Sequence, residues 1–241
     1  MYLRYYFHPI LVAAAVIPAL ALLFLAYRHD RVEKEPVSLL LTLVAFGALS
    51  TELAKLMEYL LLLLCDAFYR PDSLGYDLLL YYIVIGGSEE ICKYLVLKWR
   101  TWRNPDFNYQ FDGVIYAIFV SMGFAIAENV GYVIGYGFDV ALIRAVTALP
   151  GHACFGVFMG CWYGVARRLE GGGDVTGSQA CRILAVTTAI LLHGTYDFFA
   201  CREAAGSGTV FIVFIILMFV SSFLMLRKLG STDRHIQGTK Y

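Results

Sequence analysis

The chain has 241 residues, of which 59% are hydrophobic and only 16% are charged. A typical soluble domain is about half apolar and about a quarter charged, so this composition predicts a membrane protein. The 19 basic and 19 acidic side chains balance, and the absence of a separate basic run argues against nucleic acid as a partner. The six cysteines show no CxxC or zinc-ribbon spacing, and we interpret them as small buried residues.

Apolar runs long enough to cross a bilayer recur along the whole chain. They predict an all-α, polytopic bundle with about seven spans, at residues 9–27, 37–64, 76–97, 113–134, 140–165, 181–199 and 209–226. A cleavable signal peptide is the alternative for the first run, but the run continues further than a signal peptide requires. We expect a single integral membrane domain over residues 1–241, with the motif-bearing core at about 35–199 and the first and last spans peripheral.

Lysine and arginine are concentrated on one side of the predicted spans. That side carries Arg28, Arg31, Lys34, Lys98, Arg100, Arg103, Arg167, Arg168, Arg227, Lys228, Arg234 and Lys240, whereas the other side carries Arg4, Arg70 and Arg202. The positive-inside rule therefore predicts an external N-terminus and a cytoplasmic C-terminus.

The third span contains charges where hydropathy places lipid: Glu89, Glu90 and Lys93. Each charge at a helix centre costs about 3 kcal/mol on insertion scales, so polar partners must surround them. Lys93 lies four residues after Glu89 and three after Glu90, and on a helix it can neutralise either. The other carboxylate would be free to act as a general base on water. An inert buried ion-pair network is the alternative interpretation.

Three further spans carry polar residues at a similar depth, namely Glu128 and Asn129, then His152, then His193 and Asp197. Lipid cannot satisfy such groups, so they normally face the bundle interior or a watered cavity. Asp197 lies four residues after His193 and can orient its imidazole. The pattern predicts a shared hydrated site, although His152 could be a hydrogen-bonded core histidine and the Glu128–Asn129 pair an interhelical contact.

Two local features accompany these residues. Pro150 and Gly151 predict a break in the fifth span next to His152. In the second span, Glu52, Lys55 and Glu58 are spaced by three residues, so Lys55 can reach both carboxylates. We interpret these three as a self-paired stripe that faces the bundle, rather than as part of the site.

The motifs resemble those of the PrsW intramembrane proteases over about residues 35–198. The residues that carry the resemblance are Glu89-Glu90-x-x-Lys93, Phe124-x-x-x-Glu128-Asn129-x-x-Tyr132, His152-x-x-x-Gly156 and His193-Gly194-x-Tyr196-Asp197. The resemblance implies a helical bundle around a hydrated catalytic cavity in the cell membrane. It also implies peptide-bond hydrolysis of a membrane-anchored substrate, such as an anti-sigma-like regulator.

That family is similar to the type II CAAX prenyl proteases and, more distantly, to the multi-pass scaffold subunit of γ-secretase. The CAAX enzymes have a histidine where Glu128 stands here, so their mechanism does not transfer as a whole. A non-catalytic scaffold that binds a transmembrane helix and a proton-coupled transporter remain open. A transporter would usually show repeat symmetry, which is not visible in the sequence.

Two mechanisms fit the same residues. The predicted catalytic residues are Glu89, Glu90, His193, His152, Glu128, Asn129 and Asp197, supported by Lys93, Tyr132 and Tyr196. In the first mechanism, Glu89 or Glu90 activates water and His193, His152 and Asn129 stabilise the oxyanion. In the second, a zinc ion is held by His152, His193 and either Glu128 or Glu89. We prefer the first, without a cofactor, because adjacent carboxylates suit proton transfer better than ligation.

Overall fold

The computed structural model of the protein describes residues 9–30, 32–71, 73–201 and 206–236. Its regular elements are helices, which confirms the all-α prediction for the described part of the chain. They are α1 (Pro9–His29), α2 (Val37–Phe68), α3 (Leu74–Leu78), a π-helical segment (Leu79–Ile85), α4 (Gly86–Thr101), α5 (Asp112–Tyr136), α6 (Phe138–Val146), α7 (Ala148–Gly171), α8 (Val175–Cys201) and α9 (Ser207–Ser231). Within these described residues, one isolated β-bridge joins Tyr109 to His235.

Six of the described helical spans are long and apolar enough to cross a membrane: α1, α2, α5, α6 with α7, α8 and α9. The remaining predicted span is the helical run from Leu74 to Thr101, which contains Glu89, Glu90 and Lys93 and is therefore less apolar. The protein is thus a multi-pass membrane protein. The orientation of its termini stays a prediction, and four residues used for it, Arg4, Arg31, Arg202 and Lys240, lie outside the described residues.

Helix α5 lies at the centre of the bundle, and its residues 112–125 are all buried. Glycines allow its neighbours to approach closely. A Cβ built at Gly160 of α7 would lie 2.5 Å from Val114 Cα, and one at Gly123 of α5 would lie 2.2 Å from the Val44 carbonyl oxygen of α2. Small residues at such contacts let transmembrane helices pack backbone to backbone. The contacts fix α5 between α2 and α7.

A second close contact brings α4 to α8. The π-helical segment ends at Ile85, and the Gly86 that follows lies against the backbone of α8, where an added Cβ would be 3.3 Å from Gly194 N. A Cβ at Gly194 would in turn lie 2.5 Å from the ring of Tyr82. π-Helical turns inside α-helices are often found at functional sites. Here the turn places the charged residues of α4 beside His193.

The fifth predicted span is broken, but not at the predicted position. The break is at Thr147, three residues before Pro150, and separates α6 from α7. Pro150 lies in the first turn of α7, where a proline is tolerated because its missing N–H would have no intrahelical partner. The prediction of a break at Pro150 and Gly151 was therefore wrong by one helical turn. As a result, α6 is a separate short helix at the end of the bundle where α5 ends.

The first span takes part in the polar structure of the bundle. The carbonyl oxygen of Ala15 in α1 accepts a hydrogen bond from Asn129 Nδ2 of α5 at 2.9 Å. Helix α1 also packs against α5 and α6. The division of the chain into a motif-bearing core and peripheral spans stays a prediction.

Candidate active site

A cavity of about 440 Å³ opens at the end of the bundle where α5 ends and α7 begins. Its walls come from α2, the π-helical segment and helices α4 to α8. The charged and imidazole side chains that line it are Lys55, Glu58, Glu89, Glu128, Arg144, His152, His193 and Asp197. Five of the seven predicted catalytic residues thus line one cavity, together with the predicted supporting residues Tyr132 and Tyr196.

The ammonium group of Lys93 lies at the centre of the buried cluster. Its Nζ is 2.7 Å from Glu90 Oε1, 3.1 Å from Glu89 Oε2 and 3.1 Å from His152 Nδ1. The ring of Phe124 covers it, with the centroid 4.2 Å from Nζ. Lys93 is 1% exposed, so the ammonium replaces its lost hydration by these contacts. One cation therefore neutralises part of the charge of two adjacent carboxylates.

The two glutamates occupy different environments. Glu90 is fully buried and does not line the cavity, and its Oε1 also lies 2.8 Å from His193 Nδ1. Glu89 lines the cavity, and only its Oε2 contacts Lys93. Neither Glu89 Oε1 nor the buried Glu90 Oε2 has a hydrogen-bond partner among the described residues, so the two glutamates differ in their access to the cavity. Glu89 is therefore the carboxylate that can meet a water molecule, whereas Glu90 holds Lys93 and His193 in place.

The contacts of His152 define its tautomer. Because an ammonium group can only donate, His152 Nδ1 accepts from Lys93, and the ring proton then lies on Nε2. That Nε2 donates to Glu128 Oε2 at 2.9 Å. His152 is thus a neutral imidazole held between a cation and a carboxylate. Its peptide carbonyl also accepts a hydrogen bond from Ser121 at 2.7 Å, which fixes the backbone.

His193 has a carboxylate at each ring nitrogen. Nδ1 lies 2.8 Å from Glu90 Oε1, and Nε2 lies 3.3 Å from Asp197 Oδ2. Both nitrogens can donate only as an imidazolium, so this arrangement fits a charged ring. Phe155 stacks on the ring at a centroid distance of 4.8 Å and an angle of 18°. His193 and Asp197 both line the cavity, so the contact of Nε2 with Asp197 lies at the cavity wall.

The structure does not bring Asn129 into the cavity. Asn129 is fully buried, its amide donates to Ala15, and its Oδ1 accepts from Arg144 Nε at 2.8 Å. Its side chain therefore joins α5 to α1 and α6. The Asn129 amide is therefore not placed beside the other predicted catalytic residues as an oxyanion-stabilising donor.

Arg144 of α6 is a cavity residue that the sequence analysis missed. Its Nη2 lies 3.0 Å from Glu128 Oε2, and its guanidinium carbon lies 4.0 Å from the centroid of Tyr132. Glu128 therefore has Arg144 on one side and His152 on the other. The pattern offered little signal for Arg144, because a single arginine near a predicted span end normally faces the membrane surface.

The polar stripe on α2 is arranged differently from the prediction. Lys55 Nζ lies 2.7 Å from Glu52 Oε1, and both side chains are exposed, but Lys55 also lines the cavity. Glu58 lines the same cavity and does not pair with Lys55 among the described residues. Two of the three residues, Lys55 and Glu58, therefore belong to the cavity wall, whereas Glu52 lies outside it.

The cluster also offers donor atoms for a metal ion. One ligand atom each from Glu89, Glu90 and His152 lies within 4.8 Å of the others, and all three residues are buried. Carboxylate oxygen and imidazole nitrogen are common ligands of catalytic zinc. This set differs from the predicted one, because it contains Glu90 and lacks His193 and Glu128. Lys93 Nζ contacts the same three side chains, so a metal ion would compete with the ammonium for them.

Comparison with known proteins identifies relatives across most of the chain. Residues 35–225 match the family described as PrsW family intramembrane metalloprotease. The chain is 31% identical over 220 residues to Protease PrsW of Clostridioides difficile strain 630, which covers 89% of each protein. It is 30% identical over 188 residues to Protease PrsW of Bacillus subtilis strain 168, covering 78% of this chain and 81% of the relative. No solved structure gives a significant match.

These relatives confirm the predicted enzyme class over the scaffold and transporter alternatives. The matched residues 35–225 include every predicted site residue, from Glu89 to Asp197. They also include six of the seven predicted spans, in agreement with a membrane-embedded enzyme that acts on protein. The chain belongs to the PrsW family of intramembrane metalloproteases.

Proposed function

We propose that the protein hydrolyses a peptide bond of a membrane-anchored protein, with Glu89 as the general base. The observation that carries this proposal is the difference in location and contacts between the two glutamates. Each glutamate has one oxygen without a described partner, but only Glu89 lines the cavity, whereas Glu90 is fully buried and binds Lys93 and His193 through its other oxygen. A base must lie within reach of the water that it deprotonates, and Glu89 meets this requirement.

In the proposed reaction, Glu89 takes a proton from a water molecule while the oxygen of that water adds to the scissile carbonyl carbon. His193 donates its Nε2 proton in a hydrogen bond to the developing oxyanion. The tetrahedral intermediate then collapses, the carbon–nitrogen bond breaks, and Glu89 gives its proton to the departing amine. Water and one peptide bond thus yield one carboxylic acid and one amine.

The remaining residues hold these two groups. Lys93 keeps the adjacent carboxylates together, and Glu90 orients His193 from the buried side. Glu128 accepts a hydrogen bond from His152 Nε2. This contact holds the His152 ring edge-on to His193, at a centroid distance of 5.3 Å. Preorganised groups of this kind lower the barrier because they need not reorient during the reaction.

Because the PrsW family is described as a family of metalloproteases, metal catalysis is the second candidate mechanism. Glu89, Glu90 and His152 have the chemistry and spacing to hold a divalent ion, after displacement of the Lys93 ammonium. A bound zinc ion would act as a Lewis acid and lower the pKa of a bound water. In either case His193 would remain the hydrogen-bond donor to the oxyanion.

As substrate we propose a membrane-anchored regulatory protein of the anti-sigma-like type. Two observations support this class: the cavity lies within a multi-pass bundle, and the site motifs resemble those of the PrsW proteases. A soluble peptide without an anchor would have to leave water to reach the cavity.

The test is cleavage of a fluorogenic, membrane-anchored peptide by purified protein in nanodiscs. We expect Glu89→Gln to lower kcat by about 10²- to 10⁴-fold, the usual contribution of a general base. Glu52→Gln is the matched control, since this exposed carboxylate lies outside the cavity, and it should cleave normally. Full activity of Glu89→Gln would refute the assignment.

A second arm distinguishes the two mechanisms. Protein washed with chelator is assayed while its zinc content is measured by elemental analysis. Activity that persists in zinc-free protein supports the direct glutamate mechanism. Activity that rises and falls in proportion to bound zinc refutes it and supports the metal mechanism.

A further inference from the structure

Two further cavities lie at the opposite end of the bundle, where α4 ends and α8 begins. The larger, of about 920 Å³, is lined by Lys98, Trp102, Arg103, Arg167, Glu170 and Arg182, among others. The smaller, of about 490 Å³, continues along α4 and α8 and shares Lys98 and Arg182 with it. Together they form one groove, which we name the α4–α8 groove.

The polar part of this groove has an excess of positive charge. Its four cations, Lys98, Arg103, Arg167 and Arg182, form no ion pair with any residue that the structure describes. The one acidic residue of this wall, Glu170, is already engaged: Oε1 accepts from Trp102 Nε1 and Oε2 accepts from Ser178, each at 3.2 Å. Four cations and one anion thus line this cavity, which leaves an excess of three positive charges among its described lining residues.

Aromatic rings hold two of the guanidinium groups in place. Trp102 is 8% exposed, and its ring centroid lies 4.9 Å from the Arg182 guanidinium carbon and 5.8 Å from that of Arg167. Stacking on a tryptophan leaves the N–H edges of a guanidinium free to bind another group. Arg167 Nε is buried and has no hydrogen-bond partner among the described residues. The arginines are thus oriented, and at least one donor is unused.

The smaller cavity supplies an apolar continuation. It is lined by Tyr94, Ile183, Val186 and Thr187, and Ile183 is 64% exposed on the outside of α8. At the rim, Trp99 is also 64% exposed. Tryptophans gather at the level of lipid headgroups, and basic pockets between transmembrane helices bind anionic headgroups. The groove therefore combines a cationic pocket, with an exposed tryptophan at its rim, and an apolar continuation along α8.

We propose that the α4–α8 groove binds an anionic phospholipid. The phosphate is held by Lys98, Arg167 and Arg182, because guanidinium groups bind phosphate through paired charge-assisted hydrogen bonds. One acyl chain lies along Ile183 and Val186. The apolar continuation favours a lipid over free phosphate or an acidic peptide, neither of which would use it. This proposal does not depend on the catalytic mechanism.

The first experiment measures thermal unfolding of delipidated, detergent-solubilised full-length protein. Dioleoylphosphatidylglycerol, dioleoylphosphatidylcholine or inorganic phosphate is added, and the shift in Tm is followed against concentration. We expect phosphatidylglycerol to raise Tm at much lower concentration than phosphatidylcholine, and inorganic phosphate to have little effect. An equal response to both lipids, or a response to phosphate alone, would overturn the proposal.

The second experiment compares variants. Removing two cations by Arg167→Gln with Arg182→Gln should weaken the apparent affinity for phosphatidylglycerol by roughly 30-fold, at about fivefold per cation. The matched control is Arg28→Gln with Arg227→Gln, two exposed arginines at the same end of the bundle but outside the groove. An unchanged affinity in the first variant, or an equal loss in both, would contradict the site.

A third variant tests the apolar part and does not alter charge. Thr187→Trp should fill the channel and weaken phosphatidylglycerol binding, while the shift with phosphate stays as in the wild type. If the double arginine variant does not fold, Lys98→Gln at the exposed rim replaces it in the same titration. Wild-type lipid affinity in both Thr187→Trp and Lys98→Gln would refute the proposed groove.

Discussion

Replacement of Lys93 by methionine tests the charge balance of the active-site cluster. Methionine keeps most of the volume of the side chain but removes the ammonium that lies 2.7 Å from Glu90 and 3.1 Å from Glu89. At an effective dielectric constant of about 20, each contact carries Coulomb attraction of the order of 5 kcal/mol. Desolvation of the ammonium offsets much of this attraction, and breaking a buried pair typically costs about 3–5 kcal/mol.

We therefore expect Lys93→Met to lower the free energy of unfolding by about 3–5 kcal/mol. The loss arises mainly because two adjacent buried carboxylates are left without a counter-charge. Adding Glu90→Gln to Lys93→Met should recover a substantial part of it, since only one carboxylate then remains. Unfolding is followed by the loss of helical circular dichroism in mixed micelles as the fraction of denaturing detergent increases.

The matched control is Lys55→Met, which removes an exposed lysine whose described ion pair is with the equally exposed Glu52. It should leave the unfolding curve nearly unchanged, because an exposed ion pair contributes little. The reasoning is refuted if Lys93→Met unfolds like the wild type. It is also refuted if Glu90→Gln adds its own loss to that of Lys93→Met instead of restoring stability.

Three further predictions concern one cavity residue and two positions elsewhere in the bundle. Arg144→Gln should lower kcat/KM by about tenfold, with partial recovery in Arg144→Lys, because Glu128 loses one of its two partners. Gly160→Ala should lower Tm, because its Cβ would lie 2.5 Å from an α5 Cα, whereas Gly131→Ala, with no atom within 4 Å, should not. Burial raises the pKa of Glu35, in the loop before α2, to about 7, so stability should fall as pH rises from about 5 to 8.

The sign of the pH effect follows from linkage. A carboxyl group whose pKa is higher in the folded state binds its proton more tightly there, so its contribution is present at low pH and lost as pH rises through the folded-state pKa. In Glu35→Gln, the change of Tm with pH between about 5 and 8 should be smaller than in the wild type. An unchanged slope would assign the pH effect to another group.

For Arg144, a loss of kcat/KM in Arg144→Lys as large as in Arg144→Gln would mean that the charge of Arg144 is not what matters. For Gly160, equal Tm values in the two alanine variants would contradict the close helix contact.

The sequence determined the features that depend on one helix at a time. Run length located the spans, because crossing a bilayer requires about 20 apolar residues wherever the chain goes. The spacing of Glu89, Glu90 and Lys93 predicted two contacts that are present at 3.1 and 2.7 Å. Both are within one helix, where residues three or four apart always share a face.

The tertiary structure decided everything that depends on how each helix is rotated against its neighbours. Glu89 rather than Glu90 faces the cavity, Asn129 turns away from it, and Arg144 enters it from a helix that the sequence did not separate. Glu58 and Lys55 both line the cavity, but they do not pair among the described residues. These rotations follow from close backbone contacts such as that of Gly86 with α8, which join residues about 100 positions apart. Helical periodicity fixes the angle between two side chains of one helix, but only packing fixes which of them meets another helix.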